Sequence, residues 1–229
     1  MLIGILQTGQ APAALKEEMG DYPDFFRRLL ANRGLSFRNY HVENMQFPVS
    51  VHDCDGWLIT GSRHGAYEDH PFIQPLENFI RKAVGEHVPM VGICFGHQII
   101  AQALGGKVEK FKGGWAVGPQ DYEFDGTHVT LNAWHQDQVV ERPEGAEVCA
   151  SNDFCENAAL VYGDDAFTVQ AHPEYDDAFI GGLLDHRGKG LLPDELIKET
   201  AAKLGHERDS GLLAAKIADF FKKPRASAT

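Results

Sequence analysis

The alternation of apolar and polar residues divides the chain into three stretches with different rhythms. In the first, short apolar runs alternate with longer segments of helical period. Residues 2–6 form a buried-strand pattern, and residues 35–42 and 55–60 read as two more strands, the latter running into Gly61-Ser62-Arg63. Residues 13–19 allow a helical turn. Asp21 then caps a helix expected to reach Asn32-Arg33, with Phe25, Phe26, Leu29 and Leu30 at helical spacing and Gly34 as its stop. Residues 71–86 place Phe72, Leu76, Phe79, Ile80 and Ala83 on one helical stripe. Residues 89–93 are a further short strand, followed by a helix that stops at Gly105-Gly106. Strands that are apolar throughout and alternate with helices predict an α/β fold, with a mostly parallel central sheet and helices on both faces. In such sheets ligands bind at the carboxyl ends of the strands, where Gly61 and Cys94 both fall.

From Lys107 the rhythm shortens. Residues 107–112, 115–124, 128–131, 147–152, 158–162 and 167–170 read as strands separated by turn residues such as Gly113-Gly114 and Asp125-Gly126, a smaller antiparallel portion. After Tyr175 the pattern is helical. Residues 178–185, 194–204 and 211–221 are the candidates, the second with Leu196, Ile197, Ala201 and Leu204 inward, and Lys222-Lys223-Pro224-Arg225 is expected to fray. With no repeat and no low-complexity linker, residues 1–229 are expected to form one domain with a helical C-terminal extension from about 178.

Composition narrows the function. The 21 basic and 33 acidic residues give a formal charge of −12, which argues against nucleic-acid and anionic-membrane partners. The apolar start lacks a basic flank, and no run approaches the roughly 18 apolar residues that span a bilayer. The four cysteines (54, 94, 149 and 155) show no C-x-x-C spacing, so a reduced, cytoplasmic protein is expected, with Cys54, Cys149 and Cys155 structural.

Cys94 is different. Gly92-x-Cys94-x-Gly96 is the cysteine version of the nucleophile elbow, a sharp strand-to-helix corner that lifts one side chain above the sheet. A sulfur at the first turn of a helix lies at the positive end of its macrodipole. Gln98, four residues on, shares its helix face. A thiol nucleophile needs a base and a group that orients the base. His172, in Ala171-His172-Pro173-Glu174, follows a strand on the expected carboxyl-end face. Pro173 keeps it extended, so that Glu174 projects to the same side.

Gly-Ile-Cys94-Phe-Gly-His-Gln98 together with Ala-His172-Pro-Glu174 resembles the class I, triad-type glutamine amidotransferases over residues 2–175, in a branch similar to GMP synthetases and γ-glutamyl peptidases. The resemblance implies attack of Cys94 on a γ-carboxamide, a γ-glutamyl thioester, and its hydrolysis. His172 would protonate the leaving amine and activate water, with Glu174 orienting it. Backbone donors at Phe95 and in the Gly61-Ser62 loop would hold the oxyanion, and Gln98, Trp134 and His135 would contact substrate. The family's usual Gly-Gly-Pro loop is here Gly61-Ser62-Arg63, and its Ser-His-x-Asp segment is Trp134-His135-Gln136-Asp137. No synthetase domain is expected after Tyr175. The loose P-loop likeness of residues 182–190 has the wrong glycine spacing, so no nucleotide or other cofactor is expected. The His135-Asp137 pair with His64, His70 or His128 invites a metal reading, but no helix spaces two ligands, so no metal is expected. The substrate is then glutamine, with ammonia passed to a separate synthetase subunit, or another γ-glutamyl amide or peptide cleaved without a partner. A non-catalytic regulatory module on the same scaffold is the alternative class.

Overall fold

The computed structural model describes residues 1–225. In chain order the elements are β1 (Leu2–Gln7), α1 (Ala13–Met19), α2 (Tyr22–Leu29), β2 (Ser36–His41), β3 (Gly56–Ile59), α3 (Ile73–Gly85), β4 (Met90–Ile93), α4 (Phe95–Ala103) and β5 (Lys107–Lys110). They continue with β6 (Ala116–Phe124), β7 (Thr127–His135), β8 (Asp137–Glu141), β9 (Glu147–Ser151), β10 (Ala159–Tyr162), β11 (Ala166–Val169), α5 (Asp177–Leu183), α6 (Asp194–Ala202) and α7 (Ser210–Lys222).

Nine strands make one mixed sheet in the order β2-β1-β3-β4-β11-β10-β9-β6-β7. The first five are mutually parallel, and from β11 onward every pairing is antiparallel. This is an α/β fold with a parallel core and an antiparallel continuation. β5 and β8 pair separately as a small antiparallel ribbon.

Strand pleating sends alternate side chains to opposite faces, and both faces are buried. Ile3, Ile5, Leu58, Val91 and Ile93 meet Phe26 and Leu30 of the α2 region and Leu213, Ile217 and Phe221 of α7. Leu6, Trp57, Ile59 and Met90 meet Leu76 and Ile80 of α3 and Ile99 and Ile100 of α4. Gly4 lies in register with Trp57. A Cβ at position 4 would stand 2.1 Å from the Trp57 indole, so the ring occupies the space that a side chain there would need.

The helix over 21–33 is shorter than expected. Asp21 and Asp24 form the capping box at its start, but α2 stops at Leu29 and the chain turns left-handed at Asn32 (φ 62°). Two features of the antiparallel half went unread in the apolar pattern. β7 runs on to His135, beyond residue 131, and β8 is an additional strand. The residues responsible are polar yet buried. Asn132, His135 and Gln138 take hydrogen-bonding partners inside the protein, so hydropathy does not mark them as core.

At the C-terminal end Leu196, Ile197 and Leu204 pack inward, whereas Ala201 is exposed and Thr200 is the buried residue of α6. Gly182 lies within α5 against Leu15, which is incompatible with a phosphate loop. The basic segment does not fray up to Arg225, whose guanidinium stacks over Phe220 and donates to the Phe220 and Phe221 carbonyls. Among the described residues no helix is long and apolar enough to cross a membrane.

The tightest packing lies where α4 leaves the sheet. A Cβ on Gly92 would fall 2.4 Å from the Gly96 carbonyl oxygen, and one on Gly96 would fall 2.4 Å from the Ile59 carbonyl oxygen. Both obstacles are backbone and cannot swing away. Gly96→Ala is therefore expected to destabilise the protein by about 1–3 kcal/mol or more, read as a lowered urea midpoint. An unchanged midpoint would show that α4 does not depend on this approach.

Candidate active site

Cys94 stands between β4 and α4 with φ 53° and ψ −102°, a conformation that a non-glycine residue seldom adopts. Its N–H donates to the Val169 carbonyl of the neighbouring β11, at 2.8 Å, and its carbonyl accepts from Gln98 N–H as the first turn of the helix. The side chain is nearly buried and opens into a cavity of about 370 Å³. The Phe95 N–H lies at the first position of α4, among the donors that a helix leaves without intrahelical partners. The Phe95 ring is fully buried against Phe72.

The chain from β11 reaches the same place from the next strand. His172 N–H donates to the Asn132 carbonyl of β7, and Asn132 Nδ2 donates to the Tyr175 carbonyl, which clasps the 172–175 turn at both ends. Behind the clasp, Asp177 accepts from Asn132 and pairs with Arg208 at 2.8 Å. His172 Nδ1 lies 2.7 Å from Glu174 Oε1 with both side chains buried. The imidazole stacks flat on Tyr175, with 3.9 Å between centroids and 4° between planes. Burial alone would lower the His172 pKa. The negative charges of Glu174 and Cys94, with the hydrogen bond to Glu174, outweigh it and raise the pKa to about 10.

Gly61 packs against this pair. A Cβ there would come 2.9 Å from His172 Cε1 and 3.9 Å from Cys94 Cβ, so the loop, the imidazole and the Cys94 side chain converge on one point. Two threonines that the sequence did not single out, Thr8 and Thr60, are fully buried; the Thr60 hydroxyl donates to the Gly61 carbonyl at 3.0 Å, and the single Thr8 hydroxyl proton faces both the Thr60 and the Gly61 carbonyls, at 3.0 and 3.1 Å. In a trans peptide the N–H points opposite the carbonyl, so this tie turns the Ser62 N–H away from the two threonines. Each of them directly follows a strand (β1 and β3), which is the available sequence signal.

The remaining expected residues all line the same cavity. Gln98 is buried, with its amide nitrogen donating to the Asp137 carbonyl and to Gln170 Oε1. Trp134 forms the wall together with Trp115, the rings meeting at 63° and 6.4 Å. His135 is buried beneath it, where burial and the charge of His172 push its pKa down to about 3, so it stays neutral. Asp137 accepts from the Tyr67 hydroxyl at 3.2 Å. His97 of α4, also missed, is buried with Nδ1 2.8 Å from Thr168 Oγ1. Burial, then the neighbouring His135, push its pKa down to about 3. Of the other cysteines, Cys54 and Cys155 are buried and Cys149 is half-buried. Burial pushes the thiols of Cys149 and Cys155 up to about 12, as befits inert structural positions. The arrangement can carry out thiol-dependent acyl transfer: a sulfur at a helix start, backbone donors beside it, and an oriented imidazole.

The family model described as Glutamine amidotransferase class-I matches residues 19–178. The chain is 31% identical to gamma-glutamyl peptidase 4 of Arabidopsis thaliana over 74% of each chain. It is 36% identical to a glutamine-hydrolyzing GMP synthase subunit of Methanopyrus kandleri, over 58% of this chain and 74% of that one. The fold is similar to the solved glutamine amido transferase of Methylobacillus flagellatus, with a TM-score of 0.74 at 22% identity, covering 96% of this chain and 91% of the other.

Because the folded pKa of His172 lies above the ordinary value of about 6.5, the stabilisation from its charge is complete below that value. It is lost as pH rises through the raised one. Glu174→Gln removes a charge that raises the pKa, so the His172 ring should titrate at lower pH than in the wild type. NMR titration, with the signal assigned by its loss in His172→Ala, checks this. An unchanged midpoint would refute the electrostatic role of Glu174.

Proposed function

The chain belongs to the class-I glutamine amidotransferase family, and on that premise we propose that it hydrolyses a γ-glutamyl amide through a covalent thioester on Cys94. The observation that carries this reading is the convergence at Gly61. The buried His172–Glu174 pair, bonded at 2.7 Å, and the strained Cys94 both pack against the loop that presents Ser62 N–H.

With its proton passed to His172, the Cys94 sulfur attacks the γ-carbonyl carbon, and the carbonyl oxygen takes up negative charge between the N–H groups of Phe95 and Ser62. Preorganised donors there stabilise the tetrahedral species without reorienting. His172 gives its proton to the departing nitrogen, the C–N bond breaks, and the amine leaves with the γ-glutamyl group held on sulfur. The neutral imidazole then takes a proton from water. The resulting hydroxide adds to the thioester carbonyl and the C–S bond breaks. Glutamate departs and the thiol is restored. Glu174 holds the imidazole orientation through both steps. The Thr8 and Thr60 hydroxyls keep the Gly61–Ser62 peptide turned.

With glutamine as substrate the amine is ammonia, delivered to a separate synthetase chain. Likeness to a glutamine-hydrolyzing GMP synthase subunit supports this reading. A second reading, γ-glutamyl peptide cleavage, is favoured by the cavity itself. Trp115 and Trp134 wall it, and Arg63, Lys110 and Arg187 outnumber the acidic Glu68 and Asp137 in its lining. Such a wall fits a leaving group with apolar bulk and a carboxylate.

Glutamate release from glutamine and from γ-glutamyl peptides, with Cys94→Ala as blank, tests both readings. Failure to cleave either substrate refutes the proposal. His172→Ala should lose about 10²–10⁴-fold in kcat and Glu174→Ala less. Thr60→Val should lower kcat with little change in KM, because the misdirected donor acts on the oxyanion and not on bound substrate. A KM effect alone would remove Thr60 from this role.

A further inference from the structure

The loop that leaves the candidate site, residues 61–72, brings together three side chains with no role in the chemistry above. His70 Nε2 lies 2.7 Å from Glu68 Oε2, and His64 Nδ1 lies 3.6 Å from the same oxygen. One ligating atom from each residue falls within 4.8 Å of the others. The two imidazoles lie close, with 3.9 Å between ring centroids and 54° between planes, and both turn a nitrogen to the one Glu68 oxygen. A fourth group stands outside the cluster. His64 turns its other nitrogen, Nε2, toward Glu43 Oε1, 3.4 Å away on the turn after β2. An imidazole with one nitrogen in a ligand cluster and the other facing a carboxylate is the arrangement that fixes tautomer and ring orientation at metal centres.

We propose that His64, Glu68 and His70 bind one divalent transition-metal ion of the zinc class, with Glu43 orienting His64. Two imidazoles and a carboxylate suit zinc, cobalt or nickel, not the oxygen-seeking magnesium or calcium. Bonds of about 2.0–2.2 Å at tetrahedral angles place ligand atoms about 3.3 Å apart, so the cluster needs shifts of an ångström or less at side chains that are half-exposed or nearly buried. A solvent molecule completes the coordination. The ion is a staple and not a reactant, since its ligands include neither Cys94 nor His172. It fastens both ends of the loop. His64 N–H donates to Ser62 Oγ at 3.2 Å, next to the proposed oxyanion donor. The His70 ring stacks on Phe72, which packs on Phe95 beside the nucleophile. His64 and Glu68 also line the catalytic cavity, so the bound ion marks one rim of it. The sequence argued against a metal because no helix spaces two ligands. These ligands come from a loop, and His128, the other candidate, lies apart beside Asp121.

The test uses the full-length protein carrying Cys94→Ser, so that the reactive sulfur cannot compete for metal, stripped with a chelator and titrated with cobalt(II) and zinc(II) chloride. One equivalent is expected by calorimetry. The cobalt complex should show tetrahedral visible bands and no thiolate charge-transfer band, and the melting temperature should rise on binding. Glu43→Gln should weaken binding about 10–100-fold, and His64→Ala and His70→Ala should weaken it further. His128→Ala should leave it unchanged. The metal-free melting temperature of each variant shows that it is folded, and Glu43→Gln, which keeps all three ligands, stands in if a ligand variant is not. No stoichiometric binding, binding that survives His70→Ala, or a thiolate band overturns the proposal.

Discussion

Everything at the candidate site depends on how closely α4 approaches the sheet. The Cys94 conformation costs on the order of 1–3 kcal/mol on its own, and it persists because the backbone on either side has nowhere else to go. Gly92 meets the Gly96 carbonyl and Gly96 meets the Ile59 carbonyl at distances that exclude a Cβ. The same contact places the helix start, with the Phe95 N–H in its first turn, against the end of β3, where the Gly61-Ser62 loop begins. One packing constraint thus sets Cys94, the Phe95 N–H beside it and the seat of the Gly61-Ser62 loop.

The base reaches this point by a different route. β11 lies beside β4 in parallel register, so the chain leaving Val169 emerges next to Cys94. What makes His172 a fixed group is the clasp from β7, on the far edge of the sheet. Asn132 holds the turn at His172 N–H and at the Tyr175 carbonyl, and the Asp177–Arg208 pair holds Asn132. Arg208 lies in the segment between α6 and α7, beyond the residues that match the family model. The segment between α6 and α7 therefore supports the His172 turn, and Arg187, between α5 and α6, supplies part of the cavity wall.

Much of the parallel half was legible because its physics is local. Runs such as Met90–Ile93 are apolar on both faces, which requires helices on both sides, and turn glycines mark where strands end. Cys94, His172 and Glu174 were legible because an elbow and an extended His-Pro-Glu each constrain the backbone over three to five residues. The antiparallel half was less readable. Asn132, His135 and Gln138 are polar side chains that are nonetheless buried, Asn132 and Gln138 through partners distant in sequence, so β7 read as too short and β8 was invisible. Thr8 and Thr60 escaped for the same reason, since each looks like an ordinary residue at a strand end until both hydroxyls are found on one carbonyl.

The sequence by itself determined the alternation of strands and helices, the elbow at Cys94, and the candidate set of Cys94, His172 and Glu174, because these follow from short-range backbone geometry and periodicity. Only the tertiary structure decided what ties the Gly61 carbonyl, what clasps His172, and which histidines meet. His64 and His70 lie six residues apart on a loop with no repeating period. Whether their nitrogens converge depends on how that loop folds over Phe72 and against Glu43 from another strand end, and a linear pattern carries no record of that.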